Sequence, residues 1–186
     1  MASSEQQPSP AVRITAMASG NGSNFQAILD AAGDSKDPET VAAARAAYDA
    51  ALAALVLEDA PDLVVLAGWM HVFSEAFLRP LAGAGVKCIN LHPALPGRYD
   101  GANAIERAFK DFQEGKLESG KTGIMIHYVI AEVDRGEPIM VREIECREGE
   151  ELAQLEERIH AAEHELIVSA TAQVVGEIAA SKKAEI

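Results

Sequence analysis

The sequence contains few aromatic and few basic side chains. Aromatic residues make up 5% of the 186 residues, with a single tryptophan, and 16 lysines and arginines stand against 29 aspartates and glutamates. The formal charge of −13 argues against nucleic acid as a partner, because a phosphate backbone requires a basic surface. It does not exclude a small anionic substrate, since backbone N–H groups at a helix N-terminus can hold a phosphate.

The sequence also lacks long hydrophobic runs and is poor in cysteine. No stretch approaches the roughly 20 apolar residues of a membrane-spanning helix, and the polar first ten residues contain no signal-peptide core, so we expect a disordered tail over residues 1–11. The two cysteines, Cys88 and Cys146, lie in strand-like segments and are expected to be buried thiols rather than a disulfide. These absences predict a cytoplasmic protein that acts on small molecules, with neither a membrane nor a nucleic-acid partner.

Strand-like and helix-like segments alternate along the chain. Apolar runs predict strands at 12–18, 63–67, 86–91, 124–130 and, nearer a sheet edge, 139–145. Helical spacing is found at 25–32, 41–59, 102–113 and from residue 150 onward. This alternation predicts an α/β fold in one domain over 12–180, with a mostly parallel, doubly wound sheet and helices on both faces.

One irregularity interrupts this alternation. The helix ending near Ala32 is followed by a polar joint and a second helix from Val41, without the strand that a doubly wound sheet requires between them. Either the fold tolerates two successive helices, or a strand-helix-strand segment is missing between residues 32 and 41.

A small-residue loop, Ser19–Asn24, follows the first predicted strand and opens a helix. Such a loop presents backbone N–H groups at the positive end of the helix dipole, where they can cradle a phosphate. A tight turn without a ligand is the equally weighted alternative. The loop is not a dinucleotide fingerprint, because Gly20 and Gly22 are its only glycines.

Polar side chains follow two further predicted strands. Asn90 and His92 end one strand, and Asp134 comes shortly after another. At the carboxyl ends of strands these groups can converge in the crevice where α/β sheets bind ligands, and they suit acyl transfer. Each could also be an ordinary turn or capping residue.

The last predicted helix carries two patterns. Its apolar stripe through Leu155, Ile159 and Leu166 reaches Glu163, so this carboxylate is either a buried group that needs a partner or a helix-edge residue that reaches solvent. His160, Glu163 and His164 also match the H-x-x-E-H pattern of inverted zinc peptidases. Since a zinc site needs a third protein ligand and few residues follow, a zinc peptidase is the weakest alternative.

Taken together, four motifs resemble the phosphoribosylglycinamide formyltransferase family, in its fungal rather than its bacterial form. They are Ser19–Asn24, Ala67–Met70, Asn90–Pro93 and Asp134–Gly136, with Leu91–Gly97 carrying the fungal likeness. The resemblance spans roughly 12–32 and 45–175. It implies transfer of a formyl group from 10-formyltetrahydrofolate to the amine of glycinamide ribonucleotide in purine synthesis.

The resemblance also implies the roles of individual residues. The catalytic residues would be Asn90, His92 and Asp134, without a metal. The substrate phosphate would be bound by Gly22, Ser23 and Asn24. The ribonucleotide would also contact His160 and Glu163. The folate would be bound by Arg45, Met70, His71, Val72, Phe73, Ile130, Ala131, Glu132 and Val133.

The implied chemistry follows general principles. The substrate amine attacks the formyl carbon, and Asn90 and protonated His92 donate hydrogen bonds to the oxyanion. Asp134 beside His92 would favour the imidazolium. Two alternatives stay open besides the zinc peptidase: a 10-formyltetrahydrofolate hydrolase, and a binder of phosphorylated ligands without catalysis.

Overall fold

The computed structural model describes residues 38–184. In chain order these form α1 (Pro38–Glu58), β1 (Leu63–Leu66), α2 (Glu75–Gly83), β2 (Lys87–His92), α3 (Ala104–Gln113), β3 (Lys121–Tyr128), β4 (Pro138–Glu145) and α4 (Leu152–Ala184). The predicted tail 1–11, strand 12–18, loop 19–24 and helix 25–32 lie outside the described residues. None of the described helices is both long enough and apolar enough to cross a membrane.

The four described strands form one mixed sheet in the order β1-β2-β3-β4. β1 and β2 are parallel, whereas β3 runs antiparallel to both of its neighbours, β2 and β4. The short connection from Tyr128 to Pro138 explains the β3–β4 pairing, because antiparallel strands need no crossover helix. β4 is an edge of the described sheet, as its alternating sequence predicted.

Helices cover both faces of this sheet, which confirms the predicted layering. On one face Ile89, Ile124 and Ile126 pack with Ile105 of α3 and with the buried stripe of α4. On the other face Leu66 and Cys88 pack with residues of α1 and α2, namely Ala53, Phe77 and Leu81. Because Cys88 and Ile89 are adjacent in β2, they point to opposite faces and divide the two cores.

Most predicted elements agree with the observed ones to within a few residues, but α2 is missed. This nine-residue helix contains Pro80, which cannot donate a backbone hydrogen bond, and it ends at Gly83. Ser74 is its N-cap and accepts a hydrogen bond from the Ala76 amide. The helix therefore depends on its cap and on burial of Phe77 and Leu81 rather than on a clean helical sequence.

The stripe of α4 differs in one respect from its sequence prediction. Its buried positions include Leu155, Ile159, Ala162 and Leu166, so Ala162 occupies the turn where Glu163 was expected. Glu163 is half-buried at the edge of the stripe. Its position combines the two alternatives for this carboxylate, because it lies beside the stripe and is neither fully buried nor exposed.

Candidate active site

The alternation of β2 places Asn90 and His92 on one face of the sheet. The two residues are separated by a single position, so their side chains point the same way, toward the face that carries Cys88. Asn90 pairs directly with His127 of β3, which brings a second imidazole onto this face. His92 and His127 are both almost fully buried, with 3% and 2% of their surface exposed.

Asp134 reaches this face by a different route from the one expected. Because β3 is antiparallel to β2, their carboxyl ends do not meet at one sheet edge. The chain instead turns back after β3, and Asp134 adopts a left-handed conformation with φ of 56°. Gly136 permits this turn, since a Cβ there would overlap the carbonyl oxygen of Tyr128.

His92 is held between two hydrogen-bond acceptors. Its Nε2 lies 3.1 Å from the carbonyl oxygen of Arg98, and its Nδ1 lies 3.3 Å from Oδ2 of Asp134. A ring that faces an acceptor at each nitrogen satisfies both only when it carries two N–H groups. The pocket therefore offers a hydrogen-bond acceptor to each nitrogen of the ring.

The Asp134 carboxylate contacts Asn90, His92 and His127. Its Oδ2 accepts a hydrogen bond from the Gly101 amide at 2.8 Å and faces His92. Its Oδ1 lies 3.4 Å from Nδ2 of Asn90 and 3.5 Å from Nε2 of His127. Burial alone would raise the pKa of this carboxyl, but hydrogen bonds from His127 and Gly101 and the charges of both imidazoles hold the pKa below its ordinary value.

His127 has a choice between two partners. Its Nδ1 donates to the carbonyl oxygen of Tyr128 at 2.9 Å, which leaves Nε2 facing both Asp134 and, at 3.4 Å, Nδ2 of Asn90. A neutral ring accepts at Nε2 from Asn90, whereas a charged ring donates there to Asp134. Protonation of His127 would therefore free an N–H of Asn90 for another acceptor.

The loop after β2 is hydrogen-bonded to the loop that carries Asp134. Asp100 accepts a 2.6 Å hydrogen bond from the Nε atom of Arg135, next to the Gly101–Asp134 contact. Arg107 of α3 donates to the carbonyl oxygens of Tyr99 and Asp100 and so holds the first loop in place. These contacts hold together the two loops that flank the Asp134 carboxylate.

The residues assigned to the folate lie in two exposed segments and on α1. In the segment after β1, Met70 and Val72 are exposed, but Phe73 is buried in the core and His71 turns toward α1. In the segment after β3, Ile130–Val133 are exposed. Arg45 is exposed on α1.

On α4, His160 and His164 are exposed and Glu163 is half-buried between them. Burial raises the pKa of Glu163, and the charges of His160 and His164 lower it only in part. Within the part of the chain that the structure describes, no group of three or more His, Cys, Asp or Glu side chains is arranged to hold a metal ion. Gly22, Ser23 and Asn24 lie outside that part.

The structure brings the predicted catalytic residues together and adds His127, which the sequence analysis missed. The strand 121–128 is buried over six consecutive residues, so it shows no alternation that would single out a polar face. His127 directly follows Met125 and Ile126, so in the sequence it looks like one more buried residue of an apolar strand. Only the register with β2 reveals its position opposite Asn90.

Comparisons with known proteins agree on one family. The sequence profile described as "Formyl transferase" matches residues 34–171. A phosphoribosylglycinamide formyltransferase of Schizosaccharomyces pombe is 49% identical over 131 residues, which cover 70% of this chain and 62% of that protein. The chain thus spans less than two thirds of this relative.

Two further relatives extend the match. The phosphoribosylglycinamide formyltransferase of Saccharomyces cerevisiae is 37% identical over 213 residues, covering 89% of this chain and 98% of that protein. The crystal structure of phosphoribosylglycinamide formyltransferase from Streptococcus pneumoniae TIGR4 superposes with a TM-score of 0.63 at 30% identity, covering 85% of this chain and 96% of that one. The α/β formyltransferase architecture and the resemblance found in the sequence are confirmed, and the chain belongs to the formyl transferase family.

Proposed function

We propose that the chain transfers a formyl group from 10-formyltetrahydrofolate to the amine of glycinamide ribonucleotide, in de novo purine synthesis. The observation that carries this proposal is the Asp134 carboxylate, whose two oxygens face Asn90, His92 and His127 within 3.5 Å. Both yeast relatives are named phosphoribosylglycinamide formyltransferases, which supports the same reaction.

The proposed mechanism assigns one task to each group. The substrate nitrogen attacks the formyl carbon and forms a tetrahedral oxyanion, which accepts hydrogen bonds from the amide of Asn90 and from His92. The carbon–N10 bond then breaks, while a proton leaves the attacking nitrogen and reaches N10 of the folate. Asp134 keeps His92 charged and oriented throughout. No metal or covalent enzyme intermediate is needed for this sequence of steps.

The geometry of His92 adds a condition to this mechanism. Both of its nitrogens already face acceptors, the carbonyl oxygen of Arg98 and the carboxylate of Asp134. For His92 to donate to the oxyanion, the formyl oxygen must replace the Arg98 carbonyl at Nε2, because the contact with Asp134 sustains the positive charge. We therefore infer that substrate binding displaces the backbone at Arg98.

Substrate-contacting roles complete the proposal. The ribonucleotide phosphate is assigned to Gly22, Ser23 and Asn24, and the rest of the ribonucleotide to His160 and Glu163. Half-burial of Glu163 supports a carboxylate kept for a ligand, since burial raises its pKa without a compensating partner of equal effect. The folate is assigned to segments 70–73 and 130–133 and to Arg45. The free thiols of Cys88 and Cys146 fit a cytosolic location.

A direct assay tests the reaction. The purified chain is mixed with glycinamide ribonucleotide and a 10-formylfolate, and release of the deformylated folate is followed optically. Release that requires the ribonucleotide supports the transferase. Release without it would instead show a hydrolase, and no release with both substrates bound would show a binder. Asp134→Asn serves as the inactive comparison.

We also propose that this chain lacks a strand-helix-strand segment between residues 32 and 41. The alignment with the S. cerevisiae relative extends over 213 residues, more than the 186 of this chain, although 89% of this chain takes part. Residues present in that relative are therefore absent within the aligned span. Digestion of the natural protein tests the location: a peptide that runs continuously from Ala32 to Val41 supports the deletion, and its absence beside longer peptides contradicts it.

A further inference from the structure

A second histidine–aspartate pair lies outside the catalytic face. Oδ1 of Asp49, in α1, lies 2.7 Å from Nε2 of His71, in the segment after β1. Asp49 is completely buried, whereas the His71 side chain is 29% exposed. A buried carboxylate is costly unless each oxygen has a donor, so the partners of Asp49 show what it does.

The other oxygen of Asp49 binds the backbone of the same segment. Oδ2 accepts a hydrogen bond from the Ser74 amide at 2.6 Å. Ser74 is the N-cap of α2, and its side chain accepts a hydrogen bond from Ala76. One carboxylate thus holds both ends of the four-residue stretch 71–74 and ties it to α1.

The side chains of this segment form an aromatic cluster around the imidazole. His71 meets Tyr48, Trp69 and Phe73 edge to face, at ring-centroid distances of 5.5, 6.4 and 5.4 Å. Trp69 stacks on Phe73 at 5.3 Å, and Phe73 stacks in turn on Phe77 of α2. The anchored imidazole therefore lies against Phe73, which is buried together with Phe77. Met70 and Val72 of the same segment are exposed.

We propose that Asp49 and His71 form a clamp that fixes segment 69–73 in the shape that receives the folate co-substrate. His71 is then a positioning residue that acts through Asp49, not a group that contacts the reacting atoms. The inference rests on the proposed function for the identity of the ligand. The existence of the clamp is independent of that function, because it concerns contacts within the free protein.

Trp69 provides a direct readout, since it is the single tryptophan of the chain. The indole meets His71 edge to face and stacks on Phe73, so its emission reports on the shape of segment 69–73. We expect the emission spectrum of Trp69 to shift in His71→Ala and to match that of the wild type in His164→Gln.

Kinetics separate positioning from catalysis. His71→Ala should raise KM for the 10-formylfolate by about tenfold, with kcat and the KM for the ribonucleotide within roughly twofold of wild type. His71→Gln keeps an N–H donor for Asp49, so its KM for the 10-formylfolate should lie between those of the wild type and His71→Ala. Asp49→Asn should speed hydrogen exchange of the Ser74 amide by about tenfold or more, because the charged acceptor is lost.

The outcomes decide the clamp and the function separately. If the wild type transfers no formyl group, the proposed function fails, while the fluorescence and exchange measurements still decide the clamp. Unchanged emission profiles in His71→Ala together with unchanged exchange at Ser74 in Asp49→Asn would overturn the clamp. So would a fall in kcat at constant KM, which would make His71 part of the chemistry.

Discussion

Two of the histidine–aspartate pairs among the described residues, His92–Asp134 and His71–Asp49, are built in opposite ways. In the His92–Asp134 pair both side chains are buried, with 4% and 9% exposed. In the His71–Asp49 pair the carboxylate is fully buried and the imidazole is partly open to solvent. The first pair lies among other polar groups, whereas the second lies among aromatic rings.

The difference follows from what each carboxylate binds. Asp134 gives its oxygens to side chains that can reach a substrate, and among the described residues the backbone amide of Gly101 fixes it. Asp49 gives one oxygen to the N-cap residue of a helix, so it secures the backbone itself. We therefore expect changes at Asp134 to affect the chemical step, and changes at Asp49 to affect stability and folate affinity.

The largest effect is expected for Asp134→Asn. The amide cannot sustain the charge on His92, so kcat should fall by about 10²- to 10⁴-fold while ribonucleotide binding stays within a few-fold. Single-turnover kinetics and equilibrium binding measure the two quantities. Glu137→Gln, an exposed change in the same connection, is the matched control and should keep wild-type turnover. Wild-type turnover in Asp134→Asn would contradict the assignment of this pair to catalysis.

A smaller kinetic loss is expected for His127→Gln. This change removes one partner of Oδ1 of Asp134 but leaves His92 and the Gly101 amide in place. A carboxylate displaced by a fraction of an ångström should lower kcat by about 10- to 100-fold. A loss as large as that of Asp134→Asn would show that His127 acts on the reacting atoms itself.

These expectations could be drawn from the sequence only in part. The spacing of Asn90 and His92 predicts a common face in any strand, and a strand is the evident reading of residues 86–91. Asp134 is also recognisable, but its predicted meeting point at the carboxyl ends of two strands is replaced by a turn back along an antiparallel strand. Local patterns predict elements well, whereas strand direction depends on pairings between distant residues.

The same limit explains the features that were missed. His127 gains its position only from its register with Asn90, and the uniform burial of β3 hides its polar face. Asp49 resembles a solvent-facing residue of an alanine-rich helix, and its burial is decided by the segment that packs on it. Helix α2 is hidden by Pro80 and depends on the cap at Ser74. In each case a tertiary contact overrides a weak local signal.

Lowering the pH should show how much the Asp49 and Asp134 carboxylates contribute to the stability of the fold. Hydrogen bonds and nearby positive charge outweigh burial and hold the pKa values of Asp49 and Asp134 below their ordinary range. Such a group adds stability above its unfolded pKa of about 3.9, and this stability is lost as the pH falls through the folded pKa. At pH 7, Asp49→Asn should lower Tm by about 4–8 °C, equivalent to roughly 2 kcal/mol.

The comparison between pH values is the sharper measurement. The Tm difference between wild type and Asp49→Asn should shrink at pH 3, because the wild-type carboxyl is then becoming protonated as well. Asp134→Asn should show the same trend with a smaller difference at pH 7, since the Asp134 side chain is 9% exposed whereas that of Asp49 is fully buried. A difference that stays constant from pH 7 to pH 3 would mean that charge is not what these carboxylates contribute.

The smallest effect has the opposite sign and concerns Glu163. Burial raises the pKa of this carboxyl above its ordinary value, so the folded state binds a proton more readily than the unfolded chain. Stability then declines as the pH rises from about 4.3 through the folded pKa, and the ionised group is a cost at pH 7. Glu163→Gln removes that cost and should raise Tm slightly at pH 7 but not at pH 4. The control Glu157→Gln, exposed on the same helix, should leave Tm unchanged at both pH values.

The same two variants test ligand binding, because ribonucleotide affinity should fall in Glu163→Gln alone. A variant that is less stable yet binds the ribonucleotide normally would make Glu163 a structural residue, because a carboxylate kept at the expense of stability is explained only by a ligand that uses it.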